Sequence, residues 1–178
     1  MKILIVSLGC DKNLVDTEMM LGMLAERGHT FTDDETEAEA AVVNTCCFIG
    51  DAKEESVNAI LQMAELKKEG RLKVLIVAGC LAQRYREEIQ EEIPEVDEIL
   101  GTMAFARVVD AIEEVAAGKR QNHITEPDAA LVYGKRRSVT TGGYYAYLKI
   151  AEGCDKRCTY CIIPKVRGSY RSVPMETL

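Results

Sequence analysis

Uninterrupted apolar runs punctuate the first half of the chain: Ile3-Leu4-Ile5-Val6 within residues 2–7, then Ala40-Ala41-Val42-Val43, then Val74-Leu75-Ile76-Val77-Ala78. Runs with no polar alternation and many β-branched residues suit strands covered on both faces of a parallel sheet. Between them, apolar positions recur at helical spacing. A first helix is predicted from about Asn13 to Arg27, with Met20, Met23 and Leu24 turned inward as core filler. Asp51-Ala52-Lys53-Glu54 has the form of a capping box; Val57, Ile60, Leu61 and Ala64 follow at helical spacing, and Gly70 supplies a stop. Val108, Ala111, Ile112 and Val115 repeat the pattern, with Gly118 after them. Strand and helix in alternation predict an α/β fold, a doubly wound open parallel sheet, over residues 1–118.

From 119 to 143 the periodicity gives way to polar, glycine and charged residues, including Gly134-Lys135-Arg136-Arg137-Ser138. That composition reads as a linker, and its basic run as a solvated face, with a substrate contact as the other reading. Tyr144 to Ile150 reads as a strand that opens a second unit over residues 144–178.

Composition narrows the chemistry. Of 178 residues, 47% are hydrophobic and 29% charged, enough for one good core and little more. A net charge of −7 repels phosphate backbones, so this stretch is a poor general nucleic-acid binder and a basic protein suits it better. The opening apolar run is too short for a signal peptide or a membrane span, and no later run is long enough, so a cytoplasmic location without a membrane partner is expected. Seven cysteines without a secretion signal point to reduced thiols, which in a reducing compartment serve as metal ligands or catalysts more often than as disulfides. Neither histidine, His29 or His123, lies beside a cysteine, which leaves thiolate-only coordination of zinc or of iron and sulfur.

The cysteines fall into two sets. Cys10, Cys46 and Cys80 each follow one of the apolar runs. In an open parallel sheet with right-handed crossovers the carboxyl ends of the strands share one edge, so residues far apart in sequence converge there. Each is followed by a helix whose amino end is expected to lower the thiol pKa. A single buried cysteine is most simply core; three at equivalent strand ends are read as shared ligands, iron–sulfur ahead of zinc because no fourth protein ligand is evident. Cys47 points to the other side of the extended chain from Cys46 and is read as a small buried hydrophobe.

The second set, Cys154, Cys158 and Cys161, has a C-x3-C-x2-C spacing within Cys154-Asp155-Lys156-Arg157-Cys158-Thr159-Tyr160-Cys161. A loop of that length can wrap three corners of a cubane and leave the fourth iron open. A tetrahedral zinc would want a fourth Cys or His nearby, and a redox pair at Cys158 and Cys161 leaves Cys154 unexplained.

With an aromatic residue, Tyr160, before its last cysteine, this loop resembles the signature of the radical S-adenosylmethionine enzymes. That resemblance implies an open iron that chelates S-adenosylmethionine and an electron that cleaves it to a 5'-deoxyadenosyl radical, with Tyr160 near the adenine. Two cysteine sets behind an amino-terminal α/β domain are similar to the methylthiotransferases of that superfamily. The matching segments are Ser7-Leu8-Gly9-Cys10-Asp11-Lys12-Asn13-Leu14-Val15-Asp16-Thr17-Glu18, Asn44-Thr45-Cys46, Gly79-Cys80-Leu81-Ala82-Gln83-Arg84-Tyr85 and Ile150-Ala151-Glu152-Gly153-Cys154. With Cys161-Ile162-Ile163-Pro164 and Arg167-Gly168, they look like the branch that acts on a ribosomal protein rather than on tRNA. The resemblance implies two 4Fe–4S clusters, S-adenosylmethionine, and a methylthio group placed on the β-carbon of an aspartate in small-subunit ribosomal protein twelve. It also implies a sulfur donor and an electron donor such as flavodoxin or ferredoxin. Cys47 stands where the family pattern has glycine.

Members of that family carry a full radical α/β barrel, of which residues 144–178 would be the start, and a further β domain, so the chain is expected to be a fragment, with most S-adenosylmethionine contacts and the substrate-binding domain lying outside it and no turnover alone. Two other readings stay open: a tRNA adenosine methylthiotransferase with the same clusters, and a non-catalytic iron–sulfur or zinc-binding module.

Overall fold

The computed structural model describes residues 1–119 and 122–178. Its centre is a five-stranded sheet built from Lys2–Ser7 (β1), Thr30–Phe31 (β2), Ala40–Thr45 (β3), Val74–Ala78 (β4) and Glu98–Leu100 (β5), in the order β2-β1-β3-β4-β5. Every neighbouring pair is parallel, in registers such as Ile5 with Val42, Val42 with Ile76 and Val77 with Ile99. All residues of β3 and β4 are buried, because helices cover both faces; this is why those strands show no alternation in sequence.

Asp11–Glu26 (α1) and Val108–Ala116 (α5) pack on one face, where Met20, Leu24, Ile112 and Val108 meet Ile3, Val42, Ile76 and Leu100. Gly50–Lys68 (α2), Gly79–Arg84 (α3) and Arg86–Glu92 (α4) cover the other, where Ile60, Met63, Leu81 and Ile89 meet Leu4, Val43, Val77 and Ile99. Val108, Ala111, Ile112 and Val115 are all buried, as their spacing predicts. Gly70 and Gly118 adopt φ of +75° and +79° just past α2 and α5, a backbone region that costs glycine little. The capping box does not form. Ile49 is the N-cap of α2 and offers no side-chain bond, and Asp51 serves as an acidic residue in the first turn instead. Leu61 is exposed, outside the buried stripe of Ile60, Met63 and Ala64.

Within the basic run Lys135 and Arg136 are exposed, and Arg137 is the correction to the solvated-face reading. Glu18 on α1 is fully buried and accepts hydrogen bonds from the Thr140 N–H (2.6 Å), the Thr140 hydroxyl (2.9 Å) and Arg137 Nε (2.7 Å). Burial raises its pKa, but the Thr140 and Arg137 bonds outweigh that and hold it below the usual range. Gly22 makes room for this strap, since a Cβ there would lie 2.2 Å from the Arg136 carbonyl oxygen. Arg120 and Gln121, within the predicted linker, lie outside the described residues.

The predicted strand over 144–150 does not form, and the start of a barrel is not visible among the described residues. A strand needs a neighbour for its N–H and C=O groups. Here a ladder begins only where the Ile150 carbonyl accepts from the Val173 N–H (2.9 Å), and Tyr144 is 96% exposed. Beyond it, Ala151–Glu152 (β6) pairs antiparallel with Arg171–Ser172 (β7), and Ile163–Arg167 (α6) lies between them in sequence.

Candidate cysteine-lined metal centre

The strand order reverses between β1 and β3: the chain leaves β1 toward β2 on one side and crosses to β3 on the other. In doubly wound sheets, ligands gather outside the carboxyl ends of the strands at such a switch point. Cys10 is the N-cap residue of α1 just beyond β1, Cys46 directly follows β3, and Cys80 lies at the start of α3 directly after β4. All three line one cavity of about 860 Å³, whose walls include Leu8, Phe48, Ile163, Val166 and Arg167. Cys46 and Cys80 are 5% and 8% exposed, and Cys10 is open to solvent. Cys47 is outside the cavity. Its thiol donates to the Cys80 carbonyl (3.3 Å) and packs into the apolar core beneath α2.

The sequence around each cysteine explains why the loops can come so close. Gly9 has φ +91°, and a Cβ on it would sit 2.7 Å from Cys46 Sγ. Gly79 has φ +93°, and a Cβ there would meet Asn44 Oδ1 at 2.4 Å. Asn13 ties the first two loops together, its Nδ2 donating to the Leu8 and Thr45 carbonyls at 2.9 Å each. The Thr45 hydroxyl donates to the Ala78 carbonyl (2.5 Å) and accepts from the Ala82 N–H (3.3 Å), joining the second loop to the third.

A buried charged seam closes one wall. Arg167 at the end of α6 donates from Nη1 to Glu152 Oε2 (2.7 Å), and from Nη2 to Asn13 Oδ1 (2.5 Å) and Asp16 Oδ2 (3.1 Å). Lys149 pairs with Asp16 and with Glu152 Oε2 (3.2 Å), and Lys12 reaches Glu152 Oε1 at 3.4 Å. Burial works against the Glu152 charge, yet Arg167, Lys149 and Lys12 together pull its pKa down to about 2. Burial also opposes the charge on Arg167, but Asp16, Cys80 and Glu152 hold its pKa well above the ordinary value. Burial pushes the Cys80 thiol up to about 11 despite the pull of Arg167. Desolvation of this buried thiol thus works against the lowering expected from a helix amino end.

The second set sits in a different setting. The Cys154 N–H donates to the Gly168 carbonyl and the Cys161 N–H to the Cys158 carbonyl, each at 3.0 Å. Cys158 is exposed, Cys154 and Cys161 are half-buried, and Tyr160 is 86% exposed. Among the described residues, neither set has its three sulfurs within 4.8 Å of one another.

Arg167, Asp16, Glu152, Asn13 and Thr45 entered the sequence reading only as letters within motifs. Polar residues carry no periodicity, and the Arg167–Asp16 partners lie 151 positions apart. The polar pair Asn44-Thr45 at the end of an otherwise apolar strand was the one local sign.

A family profile described as "Uncharacterized protein family UPF0004" matches residues 2–101, which span the sheet from β1 to β5 and include Cys10, Cys46 and Cys80. The chain belongs to the UPF0004 family. Among curated proteins, this UPF0004 chain is 61% identical over its full length to "Ribosomal protein uS12 methylthiotransferase RimO" of Lachnoclostridium phytofermentans, covering 40% of that protein. Proteins of the same name from Trichlorobacter lovleyi and Symbiobacterium thermophilum are 51% and 48% identical over 99% of the chain, which covers 40% and 36% of their lengths. The motif resemblance to the ribosomal-protein branch of the methylthiotransferases therefore extends along the whole chain, which spans about 40% of the relative it matches at 61% identity. Among the described residues no helix is long and apolar enough to cross a membrane.

Proposed function

We propose that this UPF0004 chain holds two 4Fe–4S clusters, one on Cys10, Cys46 and Cys80 and one on Cys154, Cys158 and Cys161. We further propose that it serves a methylthiotransferase reaction on the β-carbon of an aspartate of ribosomal protein uS12. The observation that carries the reading is the convergence of Cys10, Cys46 and Cys80, from the ends of β1, β3 and β4, on one cavity. The residues fit such a group: the donor set is all sulfur, and about 860 Å³ leaves room beside it for a further ligand.

Bound to three thiolates, a cluster keeps one iron open, which at the second set would engage S-adenosylmethionine for reductive cleavage and at the first would hold the sulfur to be transferred. The chain's own residues prepare these places. Arg167 sets a buried cation beside Cys80 and offsets the negative charge that thiolate ligation brings into a desolvated wall. Leu8, Ile163 and Val166 keep that wall apolar, which limits water. Cys80, with its raised pKa, gives up its proton on ligation. Tyr160, exposed beside the second set, is free to stack on an adenine. Domains at 1–118 and 144–178 joined by 119–143, a cytoplasmic location, a flavodoxin- or ferredoxin-type electron donor and a separate sulfur donor belong to the same proposal.

Mass spectrometry of uS12 and of tRNA, from a strain lacking the gene that encodes this chain, tests it. The expected result is uS12 without its methylthio mass increment and tRNA unchanged. Unmodified adenosine in tRNA with uS12 intact overturns the substrate assignment.

A further inference from the structure

A second group of ligating side chains lies at the far edge of the sheet, and none of its members lines the cysteine cavity. Glu98 opens β5, Glu114 projects from α5, and His123 sits on a short segment that extends the sheet beyond β5. That segment is held firmly. The His123 N–H donates to the Ile99 carbonyl and the Gly101 N–H to the His123 carbonyl, each at 3.0 Å, and Asn122 Oδ1 accepts from the Ile99 N–H at 3.0 Å. All three ligating side chains are therefore fixed by backbone in regular pairing or in a helix.

Glu98 is 0% exposed, and its Oε2 has no partner among the described residues. Glu114 Oε2 is likewise buried and unpartnered. His123 Nδ1 lies 2.6 Å from Glu98 Oε1, and ligand atoms of all three residues lie within 4.8 Å of one another. Buried polar groups are almost always satisfied, so two orphans at one point call for a partner. A proton shared between Glu98 and His123 would satisfy one atom of each and leave Glu98 Oε2 and Glu114 Oε2 without a partner. A dication takes an electron pair from all three.

We propose that Glu98, Glu114 and His123 bind a divalent first-row cation, zinc foremost, that clamps α5 and the residue 122–123 segment to β5. One imidazole and two carboxylates form a donor set that zinc accepts readily, and they are too few oxygens for calcium. Glu114 and His123 are only half-buried, so water can complete the coordination. The other charges nearby, Arg107 and Asp110, pair with each other at 3.5 Å.

The chain has two histidines, so imidazole NMR reports on His123 directly, with His29 as an internal control and without interference from zinc held by thiols. Zinc titrated into the metal-free full chain under anaerobic conditions should shift the His123 ring signals once the thiols are saturated, leave His29 in place and raise the thermal midpoint. Glu98→Gln should weaken that response at least about tenfold. Glu114→Gln, at a half-exposed position, should do the same and serves if the Glu98 variant does not fold. A His123 signal unmoved by millimolar zinc overturns the proposal. So does an equal shift in both glutamine variants.

Discussion

The two cysteine sets reach similar donor groups by opposite routes. Cys10, Cys46 and Cys80 are far apart in sequence and are brought together by a parallel sheet, with glycines at φ near +90° and side-chain bonds from Asn13 and Thr45 locking the loops. Cys154, Cys158 and Cys161 are close in sequence and sit on an irregular, largely exposed loop between two-residue strands. In the first, the fold prearranges the candidate ligands; in the second, sequence spacing does, and a bound group would be left to order the loop. The seam of Arg167, Glu152, Asp16 and Lys149 joins them, because Arg167 and Glu152 belong to the second region and Asp16 to the first.

Breaking that seam should have the largest effect. Arg167→Met leaves Glu152 and Asp16 buried with fewer partners and should cost about 3–5 kcal/mol in urea unfolding, with early proteolysis after Tyr144. Acid probes the same seam more gently. The folded pKa of Glu152, about 2, lies below its ordinary 4.5, so its contribution is complete above pH 4.5 and drains away as pH falls toward 2. The loss should be on the order of 3 kcal/mol, and Glu152→Gln should flatten that acid limb of a thermal-unfolding profile.

Gly9→Ala and Gly153→Ala separate the regions. Each forces a side chain onto a positive φ and into a close contact, with Cys46 Sγ at 2.7 Å and with the Ser169 carbonyl at 2.0 Å. Each should cost about 1–3 kcal/mol; the first should also impair iron uptake by the sheet-end set alone, the second uptake by the loop set alone. Cys47→Ala should matter least, at about 1 kcal/mol of packing, and should leave iron content unchanged. Iron analysis and denaturation curves on the same preparations check all three.

What could be read from the sequence follows the same division. β1, β3 and β4 were legible because strands buried on both faces have no polar interruptions, and Cys10, Cys46 and Cys80 could be grouped because parallel topology fixes where strand ends lie. β2, β5 and α4 were not legible: Thr30–Phe31 and Glu98–Leu100 are too short to show a period. Tyr144 to Ile150 has the composition of a strand but lacks a neighbour to pair with, which no local pattern reveals. Arg137 looked like part of a solvated basic run, whereas its partner Glu18 is buried on α1, 119 residues away.

Iron and acid-labile sulfide counted per chain after anaerobic reconstitution, in the parent and in variants with one set replaced by alanine, test the two-site ligation most directly. About eight iron atoms in the parent and about four when either Cys10, Cys46 and Cys80 or Cys154, Cys158 and Cys161 are replaced is the expected result. Stoichiometric zinc without iron, or a parent that holds about four iron atoms and loses all of them with either triple replacement, would contradict it.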